Sequence, residues 1–253
     1  MMKVLVGVLT YNSSVKVSEL VNELDRLKKM DFASLGLACG IHVFDDGSMD
    51  GTVQLLKKTF NQNELSLQKE NVGYGANVKS AMQYAIEHKY DFLVIFPGDM
   101  QRRSKDVFRL CEAIIVENSD VVAGQPDPKK IKGKMPLGRK LGRFFINRLT
   151  GILWNDRLGD SLSGFKIYRV NRCREIIWLC QDRFGYDLDF SFWSYIYGLE
   201  VRSIDTFVSY EDHLSTINST ILQGINFVLR VIILGLVQRP IIKLLKISIL
   251  HKN

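Results

Sequence analysis

Short apolar runs alternate with amphipathic segments along most of the chain. Apolar runs bounded by polar turns are typical of strands buried in a parallel sheet, and apolar residues that recur every three or four positions predict helices. Strands are predicted at residues 3–9, 41–44, 65–68, 91–96, 121–123, 163–168 and 201–208, and helices at 15–30, 52–60, 76–88, 105–117, 137–153, 172–179 and 187–197. This order predicts an α/β fold with a mostly parallel central sheet and helices on both faces.

Two regions depart from the alternation. Residues 124–138 contain three prolines and several lysines, which predicts a mobile loop, and residues 125–136 within it could close over a ligand. Beyond Asp212 the chain is mostly apolar and its only formal charges are basic. We therefore predict a main domain at 1–212 and C-terminal amphipathic helices at 213–253, with a helix break at Pro240. Packing of this apolar segment on the domain or on a second copy of the chain is the alternative.

Composition narrows the choice of partners and compartment. The net charge of +7 favours an anionic partner such as a phosphate-rich substrate or an acidic lipid. Nucleic acid is disfavoured because the basic residues lie among aliphatic rather than stacking aromatic side chains. The four cysteines form no CxxC pair, which indicates a reducing, cytosolic compartment.

Polar side chains follow each of the first four predicted strands. They are Thr10, Tyr11 and Asn12 after the first strand, Asp45, Asp46 and Ser48 after the second, Gly73 and Gly75 after the third, and Asp99 and Gln101 after the fourth. Because the carboxyl ends of parallel strands meet at one edge of the sheet, we expect a ligand site there. Turns and helix caps are the structural alternative for each group.

The residue types at this edge suggest different ligands. Two adjacent carboxylates are costly unless a base, a ribose or a metal compensates them. Glycines let the backbone approach a phosphate or sugar. The oxygens of Asp99 and Gln101 suit Mg²⁺ or Mn²⁺, which would bridge a substrate diphosphate.

Taken in order, these motifs resemble a known family. Thr-Tyr-Asn, Asp-Asp-Gly-Ser-x-Asp-Gly-Thr, Asn-x-Gly-x-Gly and Gly-Asp-x-Gln are similar to the motifs of family 2 inverting glycosyltransferases, which have the GT-A fold. Residues 160–168 resemble the polyprenyl-phosphate branch, of which dolichol-phosphate mannose synthases are typical. The resemblance covers about residues 3–212, which would be the GT-A catalytic domain.

The resemblance implies a role for each candidate residue. Asp45 and Asp46 would hold the base and ribose of a nucleotide-sugar, and Asp99 and Gln101 would hold the metal. The remaining implied donor-site residues are Thr10, Tyr11, Asn12, Ser48, Gly73, Gly75 and His213. Arg139 and Arg143 would grip the acceptor phosphate, and Asp189 matches the family's Asp before the last core helix. The alternatives are a solvated basic face for the arginines and a carboxylate at a helix N-terminus for Asp189.

Three positions depart from the family pattern. Pro97 replaces the first Asp of the family's Asp-x-Asp-x-Gln, which removes one carboxylate from the expected metal site. Ser13 replaces a Glu, so the choice between uracil and guanine is open. His213 stands where the family often has an Arg, so neutralisation of the donor diphosphate there would depend on pH.

Three functions follow as hypotheses. The first is transfer of a hexose from a UDP- or GDP-sugar to a polyprenyl phosphate by a peripheral enzyme on the cytoplasmic face of the membrane. The second is transfer to a glycan hydroxyl in surface polysaccharide synthesis, which needs a general base, with Asp187 or Asp189 as candidates. The third, suggested by Pro97, is a non-catalytic nucleotide-sugar-binding scaffold on the membrane. A second copy of the chain or a membrane protein is a further candidate partner.

Overall fold

A computed structural model describes residues 1–133, 137–154, 162–210 and 220–242, with residues 128, 130, 137–139 and 220–223 described by backbone only. The strands are β1 Met2–Thr10, β2 Leu37–Asp45, β3 Leu65–Leu67, β4 Phe92–Pro97, β5 Val121–Lys132, β6 Lys166–Arg169 and β7 Val201–Ser209. The α-helices are α1 Val17–Lys28, α2 Thr52–Thr59, α3 Tyr74–Glu87, α4 Ser104–Val116, α5 Leu137–Trp154, α6 Val170–Ile177, α7 Tyr186–Tyr197 and α8 Thr220–Ile232.

The strands form one mixed sheet in the order β3-β2-β1-β4-β6-β5-β7. All neighbouring pairs are parallel except those of β6, which runs antiparallel to β4 and β5. The predicted α/β fold with a mostly parallel sheet is therefore confirmed. In register, Thr10 of β1 lies opposite Asp45 of β2, and Leu9 lies opposite Pro97 of β4. The ends of these three central strands consequently meet at one edge.

Helices cover both faces of this sheet because β1 buries both sets of its alternating side chains. Val4, Val6 and Val8 pack in one apolar cluster with residues of α1 and α4. Leu5 and Leu9 point to the other face and pack with residues of α3, α6 and α7. The sheet is thus a rigid middle layer that fixes the positions of the loops at its edge.

The predicted loop after residue 123 is largely a strand. β5 continues to Lys132 and pairs with β7 from Val121 to Pro126 and again at Ile131 and Lys132, with an irregularity between these two stretches. The last backbone bond of β5 on the β6 side, among the described residues, runs from the Gly124 amide to the Phe165 carbonyl, so the sheet does not need an amide from Pro126 on that side. Prolines are tolerated at such an edge and at a bulge, which is why they do not end the strand. The expectation of a loop was therefore wrong for residues 124–132, whereas closure over a ligand stays a prediction.

The C-terminal segment forms a helix that packs against the main domain. Val231 and Leu234 join Trp154 of α5 and Phe192 of α7 in a third apolar cluster. The predicted break at Pro240 is wrong: a π-helical segment, Ile233–Gln238, follows α8, and the helix continues through residues 239–242. In a π-helical segment the backbone hydrogen bonds join residues five apart, and this wider turn lets the helix pass a proline that has no N–H to donate. The division at residue 212 stays a prediction, and residues 211–219 and 243–253 lie outside the described part of the chain.

Candidate active site

The first two strand ends are joined by a hydrogen-bonded network around Asp45. This carboxylate is fully buried, and it accepts bonds from the Thr10 hydroxyl at 2.8 Å and from the Ser48 hydroxyl and amide at 2.6 and 2.8 Å. The Ser48 hydroxyl accepts from the Asn12 amide at 2.8 Å, and Asn12 adopts a positive φ of 45°. The Asx turn, which was the structural alternative for this motif, is therefore present, and Asp45 orders the loops after β1 and β2. Its contact with a nucleotide stays a prediction.

Tyr11, Asn12 and Ser48 are all partly exposed at these two strand ends. The Asn12 side-chain oxygen accepts from the Met49 amide at 3.0 Å, which links the loop after β1 to the turn after β2. The carboxylate of Asp50 completes this link, since it accepts from the Ser14 amide and the Thr52 hydroxyl. Burial opposes these hydrogen bonds, but they prevail and lower the pKa of Asp50 to about 2. This part of the edge is therefore ordered before any ligand arrives.

Asp46 holds the loop after β3. Its two oxygens accept from the amides of Val72 and Gly73 at 2.8 to 3.2 Å and from the side-chain amide of Asn71 at 2.9 Å. Burial raises the pKa of Asp46, and the hydrogen bonds from Val72 and Gly73 oppose this effect. The neighbouring Asp45 raises it further. A cation or hydrogen-bond donor placed beside these two adjacent carboxylates would therefore be favourable.

Gly73 and Gly75 are required by the protein's own packing. A Cβ on Gly73 would lie 2.5 Å from the carbonyl oxygen of Asp182, and one on Gly75 would lie 2.1 Å from that of Gln181. The amides of Val72 and Gly73 are taken by Asp46, and that of Ala76 donates to Asp182. These contacts explain both glycines without a ligand phosphate, so the expected phosphate contact stays a prediction.

The turn after β4 presents a carboxylate to solvent. Asp99 is exposed, Gln101 is partly exposed, and Met100 between them is buried with a positive φ of 61°. Anchoring of Met100 in the core thus directs its two neighbours outward, and their contact with a metal stays a prediction. The Gln101 amide donates to the Asp99 carboxylate at 3.0 Å. Within the described residues, no three His, Cys, Asp or Glu side chains form a group that could hold a metal.

The predicted acceptor and diphosphate residues are only partly described. Arg143 lies on α5 and donates to the Tyr210 hydroxyl at 3.3 Å. The side chain of Arg139 and the whole of His213 lie outside the described residues. Sequence reasoning missed Arg102, which is buried beside the Asp99 turn and donates to the Thr206 hydroxyl at 2.6 Å. Its only signal was its place directly after the Asp99 motif.

Arg102 is influenced by several charged and titratable side chains around it. Burial lowers the pKa of Arg102 to about 10, and nearby Arg143 adds to the shift, whereas Tyr210 and Asp99 oppose it. Arg102 and Arg143 are therefore close enough to interact, and both belong to the edge that carries Asp99. Two guanidinium groups there favour anionic ligands.

The two candidate bases are both held in ion pairs. Asp187 accepts from the ammonium of Lys166 at 2.7 Å, and Lys166 is fully buried. Burial raises the pKa of Asp187, and Lys166 and the Tyr74 hydroxyl lower it. Asp189 is also fully buried, and both of its oxygens accept from the guanidinium of Arg230 on α8, at 2.8 and 3.0 Å. Sequence reasoning placed Asp189 at the site, whereas the structure pairs it with the C-terminal helix.

Solved structures share this architecture. Glucosyl-3-phosphoglycerate synthase from Mycobacterium tuberculosis, in complex with Mn²⁺, UDP and glucosyl-3-phosphoglycerate, aligns over 91% of this chain and 80% of its own, with a TM-score of 0.66 and 16% identity. S. aureus TarS 1–349 with UDP-GlcNAc aligns over 92% and 67%, with a TM-score of 0.56 and 18% identity. At such identities the likeness establishes the fold, which is the GT-A fold of nucleotide-sugar transferases.

Comparison of the sequence with protein families assigns the chain to one of them. The model of glycosyl transferase family 2 matches residues 5–177, and the chain belongs to this family. An uncharacterized protein of Methanocaldococcus jannaschii is 24% identical over 91% of both chains. A UDP-N-acetylglucosamine–dolichyl-phosphate N-acetylglucosaminyltransferase of Methanococcus voltae is 26% identical over 62% of this chain and 66% of its own. The chain is thus a glycosyltransferase whose acceptor the comparisons leave open.

Proposed function

We propose that this glycosyltransferase moves a hexose from a nucleotide-sugar to a polyprenyl phosphate on the cytoplasmic face of the membrane, with inversion at the anomeric carbon. The observation that carries the acceptor assignment is that each of the two candidate bases is held in an ion pair with a cation of the protein. A hydroxyl acceptor needs a base to remove its proton, whereas a phosphate acceptor is already an anion. Asp187 and Asp189 are engaged by Lys166 and Arg230. The Methanococcus relative, named for a dolichyl-phosphate acceptor, supports the same choice.

An exposed apolar face supports the membrane location. It is formed by side chains of α5 and of the helix that begins with α8, and we call it the apolar face. Its members are Leu141, Phe144, Phe145, Ile152, Ile225, Leu229, Ile232, Ile233, Leu236, Val237 and Ile241. Neither helix contains an acidic residue, and both carry arginines. Apolar side chains flanked by basic ones suit the interface of a bilayer with anionic lipids.

The C-terminal helix is long and apolar enough to cross a membrane over Gly224–Ile242, by length and composition. Its contacts favour a position along the interface instead. Arg230 is bound to the buried Asp189, and Arg239 donates to the Tyr195 hydroxyl at 2.7 Å. Because both partners belong to α7, a spanning helix would pull this part of the catalytic domain and its buried carboxylates into hydrocarbon. The helix therefore lies on the membrane with its apolar face inserted.

The donor would be a UDP-sugar, as in the complexes of the structural neighbours. Asp99 and Gln101 would hold Mg²⁺ or Mn²⁺, whose oxygen preference these side chains fit, and the donor diphosphate would supply further ligands. When bound, the ion neutralises charge on the leaving diphosphate. Tyr11 and Asn12, partly exposed beside Asp45, would contact the nucleoside. The remaining catalysis comes from alignment of the acceptor phosphate with the anomeric carbon by α5, which bears Arg139 and Arg143.

The acceptor is tested with the purified full chain. Protein and Mn²⁺ are incubated with a panel of UDP- and GDP-sugars, and with either polyprenyl phosphate or saccharides. We expect a glycosylated lipid phosphate from one UDP-sugar. Product with saccharides alone would establish the glycan-hydroxyl alternative. Donor binding without product on any acceptor would favour the non-catalytic scaffold.

Membrane attachment is tested by flotation with vesicles of phosphatidylglycerol and phosphatidylcholine. Phe144 and Phe145 are 63% and 58% exposed on α5. The double variant Phe144→Ser/Phe145→Ser should therefore float less than the wild type, with little change in stability. Val116→Ser is the matched control, since Val116 is 77% exposed at the end of α4. Equal flotation of all three proteins would contradict the role of the apolar face.

A further inference from the structure

An ion pair between partly exposed Arg230 and the fully buried Asp189 fastens the C-terminal helix to the catalytic domain. Arg230 of α8 donates through two nitrogens to the two oxygens of Asp189, which is fully buried at the start of α7. Two parallel charge-assisted hydrogen bonds fix both distance and orientation. The position of α8 and the position of the Asp189 carboxylate are therefore tied together.

Asp189 has a second hydrogen-bonding partner besides Arg230. Its Oδ2 accepts from the amide of Gln181 at 3.0 Å. Gln181 belongs to the connection between α6 and α7, and we call residues 180–183 of that connection the backing segment. One carboxylate thus binds α8 with both oxygens and the backing segment with one of them.

The backing segment supports the glycine loop, which is residues 71–76. The carbonyl of Asp182 accepts from the amide of Ala76 at 2.9 Å. The carbonyls of residues 181 and 182 lie where a Cβ on Gly75 or Gly73 would clash, so the two segments are in direct backbone contact. Arg183 donates to the side chain of Asn71 at 3.3 Å, and this side chain in turn donates to Asp46. A displacement of the backing segment would therefore move the loop that holds Asp46.

We infer that Arg230 is a positioning residue for the donor site: by holding Asp189 it keeps the backing segment, and through it the glycine loop and Asp46, in place. The chain of contacts is contiguous and each link is a hydrogen bond or a backbone contact, which is the physical requirement for coupling across this distance. Tight donor binding would then require that the C-terminal helix is packed against the catalytic domain. This inference rests on the proposed donor role of Asp46.

Amide hydrogen exchange tests the coupling without any ligand. We compare Arg230→Gln with Arg239→Gln, because Arg239 anchors the same helix to Tyr195 and to the Leu153 carbonyl but does not touch Asp189. The peptide that carries the glycine-loop amides should exchange about tenfold faster in Arg230→Gln, within the range for residues of one hydrogen-bond network. In Arg239→Gln it should exchange as in the wild type. Equal exchange in the two variants would overturn the inference.

Two further variants separate the loss of the coupling from a general destabilisation by the unpaired Asp189 carboxylate. Arg230→Lys keeps a cation but not the paired hydrogen bonds, and the double variant Asp189→Asn/Arg230→Gln leaves no unpaired charge. Both should still show faster loop exchange than Arg239→Gln, and wild-type exchange in both would contradict the inference. The affinity for UDP with Mn²⁺ gives the functional measure: its Kd should rise about tenfold in Arg230→Gln and stay unchanged in Arg239→Gln. If the wild type binds no UDP, the proposed function fails, whereas the exchange result still decides the coupling.

Discussion

The ion pair of Lys166 with Asp187 predicts how stability should depend on pH. Lys166 is fully buried, its ammonium lies 2.7 Å from the carboxylate, and the Asp187 side chain is 9% exposed. The substitution Lys166→Met keeps most of the apolar stem and removes the cation. It leaves a buried carboxylate without its charge partner, which is among the costly kinds of substitution.

The size of the effect follows from the proton equilibrium of Asp187. With the carboxylate ionised, loss of its partner costs about 3–5 kcal/mol. Burial already raises the pKa of Asp187 against the effect of Lys166, so removal of Lys166 raises this pKa further. A carboxyl whose pKa is raised by folding contributes stability that is complete below its unfolded pKa and is lost as pH rises through the folded pKa. The penalty of Lys166→Met should therefore be small near pH 4 and largest near pH 8.

Urea unfolding at pH 5 and pH 8 measures the effect. We expect Lys166→Met to lose about 3–5 kcal/mol relative to wild type at pH 8, and clearly less at pH 5. The double variant Lys166→Met/Asp187→Asn should lack the pH dependence that Asp187 gives to Lys166→Met, since neither charge remains. A destabilisation of Lys166→Met that is the same at both pH values would refute the reasoning.

Three further predictions concern the sheet edge. Asp99→Asn should lower turnover at saturating donor on the order of 10²–10³-fold, by analogy with one lost transition-state contact, and full activity would exclude its metal role. Gly75→Ala should lose more than about 2 kcal/mol in thermal unfolding, because its Cβ meets a carbonyl; Gly142→Ala, with nothing within 4 Å, should not. Ser48→Ala should lose about 1–3 kcal/mol, because it removes the hydroxyl that donates to buried Asp45 and accepts from the Asn12 amide. Unchanged unfolding would contradict this.

Periodicity predicted the strands and helices well because both faces of the sheet are apolar. It failed where a strand has a neighbour on one side only. The second half of β5 contains Pro126, which would end a central strand, but here β5 pairs with β7 alone. Sequence shows a proline but not the number of neighbouring strands, so the loop was the natural expectation. The same holds for Pro240, where a preceding π-helical segment decides the outcome.

The candidate site was predictable in its location but not in its internal bonding. Strand order along the chain was enough to bring Thr10, Asp45 and Asp99 to one edge. The partners of Asp187 and Asp189 were not predictable, because each cation comes from another element of the fold. An ion pair between residues far apart in sequence leaves no periodic signal, and the basic charge of Arg230 alone indicated a lipid surface rather than a buried carboxylate.

These pairings bear on the chemistry of the proposed reaction. A lipid phosphate and a nucleoside diphosphate are both anions, and a site with uncompensated carboxylates would repel them. Asp46 is held by amides, Asp187 by Lys166 and Asp189 by Arg230. Asp99 is the exposed carboxylate of this set, at the place where a divalent cation would offset its charge. Two of the acidic residues near the edge are thus neutralised by cations of the protein and Asp46 is bound by its amides, so two negative substrates could approach each other closely enough to react.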